Sequence, residues 1–90
     1  MKKYIVVDET YHGDVETEVF DTPEAANVEA RYLWNHLTDG EQKTRHIYAA
    51  VITEECLCEY ARDEDTGEID WRCYDRCDFF PGSFDSAHAN

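Results

Sequence analysis

The stretch that decides the fold is DTPEAANVEARYLWNHLT, residues 21–38. Thr22 is a capping residue, Pro23 brings a φ already suited to the first helical position, and Glu24 favours the positive end of the helix dipole. Ala26, Ala30, Leu33 and Leu37 recur at helical spacing on one narrow stripe, with Trp34 at its edge. Alanines near the start let a helix lie close to a sheet, so this stripe asks for strands beneath it.

Those strands stand on either side. Tyr4 to Val7 are aromatic or β-branched and bounded by charge, which reads as a short strand. Thr10 to Gly13 supplies a turn, and DVETEVF (14–20) then alternates. Val15, Thr17 and Val19 are expected on one face and Asp14, Glu16 and Glu18 on the other, giving a hairpin with one wet side. After the helix, Thr38 and Glu41 have capping-box spacing and open a short turn. HIYAAVIT (46–53) is apolar on both faces from Ile47 to Ile52, as in the most buried strand of a sheet. The reading is α+β: a small antiparallel sheet built as a ββαβ unit, with one packed helix.

Residues 54–90 are less regular. CLCEYAR and EIDWRCY flank DEDTG, whose turn chemistry predicts a C-terminal β-hairpin. TEECLCEYAR also reads as a two-turn helix capped by Thr53, so strand and helix both stand for residues 54–62. FFPGSF makes a Pro-Gly turn carrying aromatics, and residues 85–90 are expected to fray. Ninety residues support one core, hence a single domain over 1–90.

Charge narrows the possible partners. The net charge is −13, with ten carboxylates against five Lys or Arg in residues 1–53 and eleven against three Arg in 54–90. Self-repulsion of this size opposes folding and suits solubility or binding. Direct nucleic-acid or membrane binding is disfavoured because both present phosphate. MKKYIVVDE begins like a signal peptide, but only four apolar residues precede Asp8 and Glu9. The chain reads as cytoplasmic, where thiols stay reduced, so disulfides are not expected.

Cys56, Cys58, Cys73 and Cys77 are the candidate metal ligands, since four thiolates suit tetrahedral zinc and a hairpin brings the two pairs together. Their spacing departs from the usual C-x2-C knuckle, and small core residues are the plainer reading. His12, His36, His46 and His88 share no spacing with each other or with the cysteines, so no catalytic pair is indicated. DEDTGE has a superficial likeness to a calcium loop but lacks the later oxygen ligands and the closing acid. No Gly-rich phosphate loop occurs.

The acid pattern is more informative. On a strand, Asp14, Glu16 and Glu18 would repeat every ~6.6 Å, and Glu68 and Asp70 would do the same. Phosphates on one DNA strand lie at a similar interval, about 6–7 Å through space. Trp71, Tyr74, Phe79, Phe80 and Phe84 crowd among Asp70, Asp75, Asp78, Arg72 and Arg76, and aromatics with Arg anchor interfaces. The candidate partner-binding set is therefore Asp14, Glu16, Glu18, Glu64, Glu68, Asp70, Trp71, Asp75, Asp78, Phe79 and Phe80. A solvated acidic face is the plainer alternative.

With LWNHLTDGEQKTRHIYAAVI, IDW and FPGSFDS, the chain resembles small acidic uncharacterised proteins carried by bacteriophages and mobile elements of gut bacteria. Trp34 to Thr38 carries the likeness best, and it covers most of the chain. The resemblance implies no activity and no catalytic residues. It implies a context in which short acidic proteins inhibit host defence or nucleic-acid enzymes. The expectation is a non-catalytic acidic domain that binds a basic protein, with mimicry of nucleic acid to inhibit a host or defence protein as one form of that binding. The alternative is a module stabilised by zinc on the four cysteines.

Overall fold

The computed structural model describes residues 1–10, 13–15 and 18–88. In chain order the elements are β1 (Lys2–Thr10), β2 (Gly13–Val15), β3 (Val19–Phe20), α1 (Pro23–Asn35), α2 (Asp39–Thr44) and β4 (His46–Thr53). Short 3-10 turns follow at Glu54–Cys56 and Ser86–His88. The architecture is α+β, a small antiparallel sheet with one main helix.

β1 is the axis of the sheet. One side pairs with β4, from Lys2 opposite Thr53 to Glu9 opposite His46. The other side pairs with β3 near its start and with β2 near its end, both antiparallel. The register differs between these two pieces. Asp8 faces Val15 while Ile5 faces Val19, so one extra residue is taken up between them. The single alternating strand expected over 14–20 is thus two short segments out of phase. Tyr11, His12, Glu16 and Thr17 lie outside the described residues, as do Ala89 and Asn90.

Both faces of the β1–β4 pair are covered. On one, Tyr4, Val6, Ile47 and Ala49 meet Ala26 and Ala30 of α1, with Leu33, Trp34 and Leu37 at the margin. The alanine stripe thus does what its small size allows. Thr22 caps the helix by accepting from the Ala25 N–H at 3.2 Å, and Pro23 stands in its first turn. α2 opens with the reciprocal Thr38–Glu41 capping box. The second face carries Ile5, Val7, Ala50 and Ile52. It was expected to be wet along the β1 hairpin. Instead Cys56 is buried on it, and Leu57, Trp71, Tyr74 and Cys77 pack over it.

The C-terminal third achieves this cover with little regular structure. Its chain doubles back in hairpin register, with Leu57 bridged to Tyr74 and Arg62 to Ile69. These are isolated bridges, not continuous strands, and Glu54–Cys56 is a single 3-10 turn. Residues 54–62 are therefore neither the helix nor the full strand that the sequence allows.

The same third closes the outer edge of β4. The Val51 N–H donates to the Asp78 carbonyl at 2.8 Å, and the Asp78 N–H returns to Val51 at 3.0 Å. The Ala49 N–H donates to the Phe84 carbonyl at 2.9 Å, and the Ile47 N–H to the Ser86 hydroxyl at 2.8 Å. Three alternate outward amides are thereby satisfied, as an edge facing neither solvent nor strand requires. Within the tail expected to fray, residues 85 and 86 contact β4. Asp85 bridges Tyr48, and Ser86 is buried because its hydroxyl stands in for a strand partner. Among the described residues, no helix is long and apolar enough to cross a membrane.

Candidate functional site

The segment between Cys58 and Cys73 is an acidic loop built on a tight turn. The Asp63 side chain accepts from the Asp65 N–H at 2.8 Å and the Thr66 N–H at 3.3 Å. The Gly67 N–H closes the turn onto the Asp63 carbonyl at 2.8 Å. Gly67 has φ +75°, a conformation that side chains disfavour. Beyond the turn the Asp63 N–H donates to the Glu68 carbonyl, and the Asp70 N–H to the Ala61 carbonyl. Glu68 and Asp70 thus flank the bridged Ile69, and both are exposed with Glu64. Sequence reasoning missed Tyr60, which is 83% exposed beside them. A lone tyrosine between Glu59 and Ala61 carries no pattern that would mark it.

The aromatic candidates divide. Trp71 is half-buried against the Ile5–Val7 face, and its bulk is part of the core. Phe80 stands edge-on to Tyr4 at 5.2 Å, on the helix side. Phe79 points to the other side, 5.1 Å from the Tyr48 ring, and stays 59% exposed. This alternation follows from the pairing of Asp78 with Val51, after which successive side chains take opposite faces. Of the aromatics proposed for binding, Phe79 is the one available to a partner. Asp75 and Asp78 are exposed, and Asp78 Oδ2 also accepts from the Cys56 thiol at 3.7 Å. Glu18 is exposed, Asp14 is placed opposite Glu9, and Glu16 lies outside the described residues. The acids are therefore spread over at least two regions, not ranked along one strand.

The cysteines are paired differently from expectation. Cys58 and Cys73 form a disulfide, with Cα atoms 5.8 Å apart. They sit opposite each other in the hairpin register, where the Cys58 N–H donates to the Cys73 carbonyl at 3.1 Å. Compartment reasoning from composition could not register this adjacency across the chain. Cys56 is a buried thiol beside the Thr53 hydroxyl at 3.4 Å, and Cys77 is a half-buried thiol near Tyr48. With two sulfurs joined, the four do not stand as a tetrathiolate, and no group of three or more possible ligands is gathered for a metal among the described residues.

A second cluster had no sequence signal, because its members lie 37 to 39 residues apart. His46 holds Asp85 Oδ1 at 2.6 Å through Nε2 and Glu9 Oε2 at 3.3 Å through Nδ1. A neutral ring has one N–H and donates to one carboxylate; a ring protonated on both nitrogens donates to both. The Tyr48 hydroxyl donates to Glu9 Oε1 at 3.0 Å. Burial pushes the Tyr48 phenol well up, and the nearby Cys77 sulfur and Glu9 carboxylate reinforce it. Burial also acts to raise Asp85, but the Ala87 N–H and the His46 and His88 rings outweigh it and hold its carboxyl below the usual range. Next to this cluster, Arg45 reaches the buried Asp8 at 3.2 Å and Glu41 at 3.7 Å. These contacts join β1, β4 and the C-terminal segment, which makes the cluster a clasp.

Comparison with protein-family models, curated proteins and solved structures finds no match to this chain.

Proposed function

We propose that this chain is a non-catalytic acidic interaction protein that engages a basic protein partner. The observation that carries the reading is the 59–72 loop. It presents Glu59, Asp63, Glu64, Asp65, Glu68 and Asp70 on an exposed turn beside Tyr60, in a chain of net charge −13. Carboxylates set by backbone hydrogen bonds lose less freedom on binding than carboxylates on a random tail. An aromatic ring next to them suits the stem and charge of Lys or Arg. Phe79, Asp75 and Asp78 extend the surface toward the outer edge of β4. A basic surface shaped for phosphate, as on a nucleic-acid-binding protein of a bacterial host, is the matching partner class. Phage or mobile-element inhibitors of host enzymes are the comparison in style.

The test is capture of partners from a bacterial lysate at low salt, followed by affinity measured across a salt series. Steep weakening with salt is the expected result, and E64Q/E68Q/D70N should weaken capture further. Affinity that stays flat between low and high salt would sink the reading.

A further inference from the structure

We propose that the Cys58–Cys73 disulfide is a redox latch on the acidic loop. Closed, it holds residues 59–72 as a fixed turn. Opened by a dithiol reductant, it releases that loop while the sheet and α1 stay folded.

Two independent features of the fold separate the loop from the domain. The first is hydrogen bonding. Among the described residues, the bonds made by 59–72 close within 58–73: Ala61 to Cys58, Asp63 to Glu68, Gly67 to Asp63, Asp70 to Ala61 and Cys73 to Asp70. The side-chain bonds of Asp63, Thr66 and Asp70 also stay inside the loop. None of them ties the loop to β1, β4 or α1. The second is burial. Ala61 is the one buried side chain of the loop, and Ile69 is half-buried. Trp71, two residues before the crosslink, is the loop side chain that packs on the Ile5–Val7 face, so residues 59–70 carry no such contact in that cluster. By contrast, the segments outside the disulfide are anchored without it, through Cys56 and Leu57 on one side and Tyr74 to Asp78 on the other.

The crosslink therefore lies at the neck between an anchored base and a loop with few ties of its own. Reduction proceeds by thiol–disulfide exchange. A thiolate of the dithiol attacks one sulfur of the Cys58–Cys73 bond and forms a mixed disulfide. The second thiol of the reductant then closes on the first and displaces the protein sulfur. The protein gains two electrons and two protons as two thiols, and the dithiol leaves as its own disulfide. In a reducing compartment the loop becomes an open acidic segment, and in an oxidising one a preformed turn. The Cys56 and Cys77 thiols play no part in this step.

The experiment is peptide mapping with a Glu-specific protease on the whole protein, oxidised and after dithiothreitol, with amide exchange measured in parallel. Cleavage after Glu59, Glu64 and Glu68 should rise at least tenfold on reduction. Cleavage after Glu29 and Glu41 and the protection of β1 and β4 amides should stay unchanged. The C58S/C73S variant should match the reduced form without reductant. Equal loop cleavage in both states would overturn the latch. So would loss of β1 and β4 protection on reduction, which would make the bond a staple for the whole domain. Four titratable thiols in the denatured, oxidised protein would overturn it too. These readouts require no partner, so the latch and the partner-binding reading stand or fall separately.

Discussion

Residues 1–53 and 54–88 are held together by different physics. The first region satisfies itself by repetition: strand pairing over eight residue pairs, a helix stripe and two N-caps. The second relies on single events, namely one disulfide, isolated bridges and a serine hydroxyl in place of a strand. Repeated patterns distribute their energy, so each residue is one of many. Single events concentrate it, so individual side chains decide whether a segment stays in place.

That contrast can be broken most severely from inside the repeated region. Ile47 is fully buried between β1 and α1. Ile47→Ala should cost about 2–5 kcal/mol, read as a lower urea midpoint with the slope unchanged. A loss well below this range would mean that the sheet–helix layer is looser than its burial implies.

The next effect lies in the second region and rests on one atom. Ser86→Ala removes the acceptor for the Ile47 N–H, which has no access to water in its place. The expected cost is about 1–3 kcal/mol, with faster exchange at the Ile47 amide than at Val6. A neutral result would show that residues 78–86 cover the β4 edge without holding it.

The smallest effect is in the clasp. Asp85 has its folded pKa depressed, so it contributes stability above the ordinary aspartate value of about 3.9. That contribution is lost as pH falls through the depressed folded value. Asp85→Asn should therefore flatten the dependence of stability on pH below about 4, while leaving the shape near neutrality little changed. An unaltered acid limb would mean that the His46–Asp85 contact carries no net weight.

The same division explains what could be read from the chain. α1 was legible because Thr22, Pro23 and the Ala26–Ala30–Leu33–Leu37 stripe act through near neighbours, and so was the α2 capping box. β4 was legible from its unbroken apolar run. The phase slip between β2 and β3 was not, since alternation in DVETEVF is the same with or without an extra residue. The disulfide, the His46 clasp and the role of Ser86 depend on partners far away in sequence, and nothing local marks them. In the candidate surface, Glu64, Glu68 and Asp70 are exposed. Trp71 and Phe80 turned inward because a small domain with two faces to cover needs its large rings.

The closed edge of β4 has a consequence for the order in which the molecule is made. The Ser86 hydroxyl that satisfies Ile47 lies 39 residues further along the chain. At synthesis rates of roughly 5–20 residues per second, that partner emerges about 2–8 s after the strand it serves. Throughout that interval β1 and β4 are able to pair, while the outer amides of β4 have only water to bind. Nascent chains side by side on one message would each present such an unfinished strand, and the delay sets how long neighbours have to find it.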